Sequence, residues 1–574
     1  MKNLSERIMF SKFWWLALLL VFAGINFLAA KFHYRIDLTK EKRYTLSSAT
    51  KNMLRNLDAD VSIDVFLKGD FPAGFRKLAN SVDEFLMECK EYSRGKLKVK
   101  FLNPMKDFDD SAAAYFRDSI GYYFDIPSYT LQAPEKAGDD MSIKQILPGA
   151  IIYYKDTSVG VNLLKGAKAY GTEPEQLAEL YNEVEATLEY RFASAIQKIT
   201  TRYKPLIGYA VGHGEGWGYN VDDAIRTLIK EYRFDTVNIR TEPFIHPVFD
   251  ALVLLKPTQP FSDAEKLKLD QYVMQGGKLF CMIDNMYGEF DSLYQSGGFI
   301  AFDRGLNLED IFFRYGTRIN NNLLQDIQCD KLPQVSGTPG GTEQQRLVDW
   351  PFFPILNGTQ HSISKNLDGV RAIFPNTIDT VRANGIKKTF LLRSSANARV
   401  LETPARVDFE FMQIAPDIRK FTNKDIGVAV LLEGKFKSLF DGRISKSSAD
   451  SLAAWQVPFK KICDKENKII IVADGDIATN MYSQMNGPLP MGMNLFTRYT
   501  FANKEFYTNA IEYLVNPSGI LETRAKDFTL RLLNLKKVKE QKTTWQFINI
   551  ALPVLLIILL GYIYQQVRKR KYAA

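Results

Sequence analysis

The sequence predicts an α/β protein of two successive domains held between two apolar helices. Three observations predict it. An uncharged apolar run lies near each end, strand patterns alternate with helical ones through much of the interior, and about 500 residues separate the two runs. That interior is long enough for two or three domains.

The first run, 13–30, has no charge and one strongly polar member, Asn26. At about 1.5 Å per helical residue it nearly crosses a hydrocarbon core of roughly 30 Å. The second, 545–564 (WQFINIALPVLLIILLGYIY), lies in a stretch with no charge between Lys542 and Arg568. Trp14, Trp15, Trp545, Tyr562 and Tyr564 suit interfacial aromatic belts. Pro553 is tolerated in a membrane helix whose freed carbonyl a neighbour covers. A basic start (Lys2, Arg7, Lys12) would also suit a signal peptide, but the apolar run is long and Leu28-Ala29-Ala30 is a poor cleavage site. Two uncleaved anchors put both termini on one side. Lys and Arg within fifteen residues number seven on the termini and ten on the body flanks, which argues against an exported body. Long domains, however, translocate largely regardless of charge. The expectation is therefore an inner-membrane protein with cytoplasmic tails 1–12 and 565–574 and a periplasmic body.

The hydrophobic content of 46% and aromatic content of 13% exclude a mainly disordered chain. The net charge of +9 gathers partly at the membrane flanks, where basic residues meet anionic headgroups, and does not imply nucleic-acid binding. Cys89, Cys281, Cys329 and Cys463 lie far apart without metal-ligand spacing. They read as buried thiols; a disulfide in an oxidising compartment stays open, with no pairing selected.

The first domain, 31–200, begins with a helix capped by Ser47 or Ser48. A strand at 61–67, a helix at 71–92 and a strand at 97–102 make a β-α-β unit. A helix near 112–119 and strands near 129–132 and 150–154 should extend its sheet, and 173–200 is a long closing helix. The second domain, 201–515, starts with the apolar strand 205–211 and the glycine-rich turn 212–218 (GHGEGWG). A helix at 222–232, strands at 234–239 and 251–255, a helix at 263–274 capped by Ser262, and a strand at 278–284 follow. This rhythm argues for a parallel sheet covered on both faces. It resumes with the strand 467–473 and the helix 504–515. Between about 290 and 465 periodicity is poor, as expected of an elaborate insertion, and 516–544 reads as a basic helical stalk.

Several blocks in order now carry a resemblance: RYTLSSAT at 43–50, GHGEG at 212–216, LVLLKP at 252–257, 261–280, EGKFKSLF at 433–440 and ADGDIATN at 473–480. With the two anchors, they resemble the GldG family, auxiliary membrane components of the gliding-motility ABC transporter in Bacteroidetes. The resemblance spans nearly the whole chain. It implies partnership with a separate ATPase and a multi-spanning permease. It also implies that the second domain is a doubly wound sheet similar to a module of intraflagellar-transport proteins and to class I glutamine amidotransferases. No ligand residues are carried over.

The strongest candidate site is His213 with Glu215, on the turn after a buried strand. Ligands of open α/β sheets bind at strand carboxyl ends, so Asp284, Asp474 and Asp476 could converge there as a polar-ligand or metal site. The competing reading, which we favour, is that the glycines permit a tight turn and His213 and Glu215 satisfy backbone groups or each other. A nucleophile would need a strand-to-helix elbow, and Cys281 lies mid-strand among apolar residues. His33, His246 and His361 show no pairing in sequence. No G-x-x-x-x-G-K-[ST] occurs, and 212–218 departs from G-x-G-x-x-G, so no nucleotide-binding motif supports transport energised by this chain. The expectation is a non-enzymatic accessory subunit without cofactor or resident metal, offering protein or glycan surfaces in the periplasm. The alternatives are a periplasmic hydrolase or metal-dependent binding protein centred on His213 and Glu215, and direct substrate capture in a pocket between the two domains.

Overall fold

A computed structural model describes residues 45–69, 71, 73–106, 108–134, 141–164, 174–337, 344–409, 417–525 and 535–572, with 19–24 and 26 near the N-terminus. Most of the expected first anchor and residues 526–534 of the stalk lie outside the described residues; 19–24 are helical.

In the first domain α1 (Ser48–Arg55) is capped by the Ser47 hydroxyl, which accepts the Thr50 N–H. Strand β1 (Val61–Val65), α2 (Ala73–Tyr92) and β2 (Leu97–Phe101) form the expected unit, with β1 and β2 parallel from Val61↔Leu97 to Val65↔Phe101. The alternation of VSIDV buries Val61, Ile63 and Val65 against Leu78, Val82 and Leu86 of α2. Helix α3 (Asp110–Phe124) takes its N-cap from Asp109. The strand expected near 129–132 does not extend this sheet. As β3 (Tyr129–Pro134) it pairs with β4 (Met141–Ile146) in a separate hairpin. Strands β5 (Gly149–Tyr154) and β6 (Thr157–Asn162) complete the order β2-β1-β5-β6, with β5 antiparallel to β1. Helix α4 (Pro174–Thr200) packs Phe192 and Ile196 into the same core.

The second domain is built on β7 (Leu206–Val211), α5 (Asp222–Glu231), β8 (Arg233–Asn238), β9 (Ala251–Leu255), α6 (Asp263–Met274) and β10 (Lys278–Met282). Every residue of β9 is buried. Ala251, Val253 and Leu255 face Ala224 and Leu228 of α5 and Phe506 and Ile511 of α7 (Asn503–Val515). Leu252 and Leu254 face Leu269, Tyr272 and Val273 of α6. Each fully buried Val, Leu, Ile or Phe among them contributes about 1.5–3 kcal/mol. A capping box of Ser262 and Glu265 starts α6.

The sheet is parallel over only five strands, β8-β7-β9-β10-β15, where β15 is Asn467–Val472. Beyond β15 it continues antiparallel through β14 (Gly427–Gly434), β13 (Ile386–Arg393), β12 (Gln344–Gly358) and β11 (Cys329–Gly337). This corrects the expectation of a parallel sheet: the sheet is mixed, and much of the region 290–465, whose periodicity in sequence is poor, is built of strands. Strand β12 hides its nature because Pro351 and Pro354 interrupt it and its partners change along its length. It pairs first with β11, then with Val370–Arg371, then with β13. Trp350, Phe352 and Phe353 of β12 anchor an aromatic core with Phe299 and Phe374.

Helix α8 (Leu535–Tyr572) forms a unit of its own with the residues beside it. Its stretch Gln541–Arg570 is long and apolar enough to cross a membrane.

Candidate functional site

Chain order steps from β7 to β8 on one side and to β9 on the other, so the strand direction of travel reverses between β7 and β9. Crevices at such points are where open α/β sheets bind ligands. Here the turn after β7 and the loop after β9 close on each other. The N–H groups of Thr258 and Gln259 donate to the His213 carbonyl at 2.8 and 2.9 Å. Gly214 has φ +77°, and a Cβ there would lie 2.1 Å from Thr258 Oγ1, so only glycine fits this approach.

His213 is fully buried and stacks on Phe261 with centroids 3.7 Å apart. Its Nε2 lies 3.2 Å from Glu265 and its Nδ1 3.8 Å from Glu215, yet neither ring nitrogen has a well-directed hydrogen bond. Glu215 instead accepts the His213 backbone N–H at 2.6 Å. Burial pulls the imidazole pKa down against the pull of Glu265, and burial raises Glu215. Glu265 is held down at about 2, because the Ser262 N–H and hydroxyl and His213 outweigh its desolvation. The result is a neutral-leaning ring wedged between an aromatic face and a helix cap.

Asp284 follows β10, while Asp474 and Asp476 follow β15, and their carboxylate oxygens come within 4.8 Å of one another. The sequence reading missed the cation beside Asp284 and Asp476, Lys256, just after β9. Its Nζ lies 2.6 Å from Asp476, 3.0 Å from Glu289 and 3.3 Å from Asp284. Arg304 pairs with Glu289 from the far side. Asp474 is further held by the N–H groups of Ile373 and Asp476, both at 2.7 Å. Asp284 accepts the Gly475 N–H. Burial alone would lower Lys256, but Asp476, Asp284 and Glu289 outweigh it and hold its ammonium well above the ordinary range. Burial, then Asp284 and Asp476, push Asp474 well up. Burial brings Asp476 to about 7 against the pull of Lys256. These are carboxylate positions that could hold a divalent ion, with an internal cation already seated among them.

The candidates thus form two sets, His213 with Glu215 and Asp284 with Asp474 and Asp476, and no hydrogen bond or ion pair joins the sets among the described residues. Lys256 carried one legible signal, a lysine ending the apolar run LVLL. It also has φ +49°, uncommon for a side-chain-bearing residue. Cys281 is buried in β10 with its thiol pushed up to about 12 by burial, the opposite of an activated nucleophile.

A family described as an ABC-type uncharacterized transport system matches residues 204–510, more than half of the chain. The chain belongs to this family. The ABC-type transport match covers the parallel sheet, the insertion and most of α7, and a separate domain of unknown function matches 40–153. An uncharacterized protein of Borreliella burgdorferi is 21% identical over 434 residues, covering 72% of this chain and 76% of its own. Among solved structures, the mmIFT52 N-terminal domain is 11% identical and overlaps 54% of this chain and 97% of its own. Its TM-score of 0.29 carries no argument about the fold. Membership in an ABC-type transport family suggests an accessory transport role and association with a transporter complex, and α8 suggests membrane anchoring.

Proposed function

We propose that this chain is a non-catalytic auxiliary subunit that assembles with a multi-spanning permease and a separate ATPase to support gliding motility or secretion. Its helices dock in the inner membrane, and its body stands in the periplasm. The observation that carries this reading is that the carboxyl edge of the parallel strands is filled from within. Lys256 pairs with two of the three aspartates, Asp284 and Asp476, and the loop after β9 seals the turn after β7. An enzyme of this architecture needs room there for a reacting atom beside its base and anion-stabilising donors. The apolar stretch of α8, with Asn549 and Pro553 in its middle, supports docking against permease helices, where polar groups and freed carbonyls find partners.

Purification in mild detergent, with identification of the co-purifying chains, tests this. A permease and an ATPase at comparable abundance are expected. Recovery of neither overturns the proposal. Protease added to spheroplasts should digest the body; full protection until lysis reverses the orientation.

A further inference from the structure

A cavity of about 220 Å³ lies where the first domain meets the second, between α4 and β6 on one side and α7 and the turn Ile520–Ala525 on the other. Hydrogen bonds fix this meeting. Gln197 of α4 and Asn516, just past α7, exchange a reciprocal amide pair at 3.0 and 2.9 Å, and Ser518 donates to the same Gln197 at 3.1 Å. The cavity is below the roughly 300–1,000 Å³ of sites for drug-sized ligands, so its occupant is small.

Most charges on its wall are matched by the protein. Lys198 pairs with Glu231 at 2.6 Å, and Arg191 donates to Thr187 at 2.8 Å and to the Asn162 carbonyl at 2.9 Å. Tyr499 donates to Asp368. Two charges are left. Arg524 donates through Nη1 to Asn509 at 3.0 Å and lies 5.6 Å from the Tyr190 ring centroid. Its Nε is buried without a partner, and it makes no ion pair among the described residues. Glu505, in the first turn of α7, likewise has no ion pair among them. The Arg524 guanidinium, its Nε closed off from solvent, and the Glu505 carboxylate line one cavity and do not pair with each other. A ligand that carries both signs compensates both. A guanidinium offers a fork of donors that matches a carboxylate, and a carboxylate accepts from an ammonium.

We propose that this cavity binds a small zwitterion of amino-acid size, with its carboxylate on Arg524 and its ammonium toward Glu505. The site is independent of the proposed assembly role, because it needs neither permease nor ATPase. The cavity belongs to both domains, so occupancy ties them together.

The test is calorimetric titration of the detergent-solubilised full chain with glycine, L-alanine, L-serine and L-glutamate. Propionate, ethylamine and inorganic phosphate, each carrying one sign of charge, serve as the single-charge probes. Saturable binding of at least one amino acid is expected, with every single-charge probe weaker by at least about tenfold. Arg524→Lys keeps the charge but loses the fork, and should weaken the amino acid by about tenfold or more. Glu505→Gln should abolish the preference for the amino acid over propionate, and it reads the same site should Arg524→Lys fail to fold. No saturable binding of any of the four by the wild type at millimolar concentration overturns the proposal. So does phosphate or propionate binding as tightly as the best amino acid, or unchanged affinity in both folded variants.

Discussion

Replacing Lys256 by methionine keeps an apolar stem of similar length and removes the ammonium at the centre of Asp284, Asp476 and Glu289. Removing one partner of a buried charge set leaves the others uncompensated, at a cost of about 3–5 kcal/mol. The sign with pH follows from the carboxyls. Asp476 is raised from 3.8 to about 7 with Lys256 in place, and Asp474 is raised as well. A carboxyl whose native pKa lies above its unfolded value destabilises the fold fully above the native pKa, and that penalty fades as pH falls toward the unfolded value. Wild-type stability should therefore fall as pH rises between about 4 and 7. Lys256 is the group that pulls Asp476 down, so without it this fall should be steeper and reach higher pH. Lys256 itself, raised above 10.5, stays charged throughout the window. Urea unfolding of the purified chain, followed by circular dichroism near pH 5 and near pH 8, measures the difference. The expected loss is about 3–5 kcal/mol near pH 8 and well under half of that near pH 5. Equal losses at the two pH values, or a loss below about 1 kcal/mol near pH 8, would refute an internal counter-ion role.

Gly214→Val should destabilise the second domain by more than about 2 kcal/mol, since a Cβ would meet Thr258 Oγ1 at 2.1 Å in a left-handed backbone; a smaller shift in the urea midpoint argues against the seal. His213→Gln should cost about 1–3 kcal/mol through lost stacking on Phe261, while complex assembly and motility or secretion persist. A folded, assembling but inactive variant would instead make His213 functional. Chelation should leave the wild-type melting temperature unchanged, because Lys256 already supplies positive charge to Asp284 and Asp476; stoichiometric metal by elemental analysis, lost in Asp474→Asn, would favour a metal site at the aspartates. Replacing 545–564 by polyleucine should keep the protein in the membrane and lose co-purification of the permease, and undiminished co-purification would remove the docking argument.

The legible parts of the fold are those whose burial repeats locally. The run ALVLL announces β9, and Ser262 with Glu265 announces the start of α6, because a capping box is written in adjacent residues. The pattern near 129–132 reads as one more strand of the first domain's sheet, but a strand pattern does not name its partner, and this one pairs with β4. Strands β11 to β14 were illegible for a related reason. They are stabilised by pairing with residues far along the chain, and prolines interrupt β12. Of the site, the aspartates could be placed at strand ends, but the cation beside Asp284 and Asp476 could not. Lys256, Asp476 and Glu289 meet only after the sheet assembles, and nothing in their separate neighbourhoods marks them as partners.

The order of strands also sets a timetable for synthesis. Strand β10 is paired on its far side by β15, where Leu279 meets Ile469 from 190 residues later in the chain. At roughly 5–20 residues per second, the apolar edge of β10 waits about 10–40 s on the ribosome for its neighbour. Throughout that wait it presents open backbone groups and the side chains Leu279, Phe280, Cys281 and Met282, a combination that recruits other strands as readily as the right one. Bodies truncated before residue 472 keep this edge open permanently and should accumulate as aggregates.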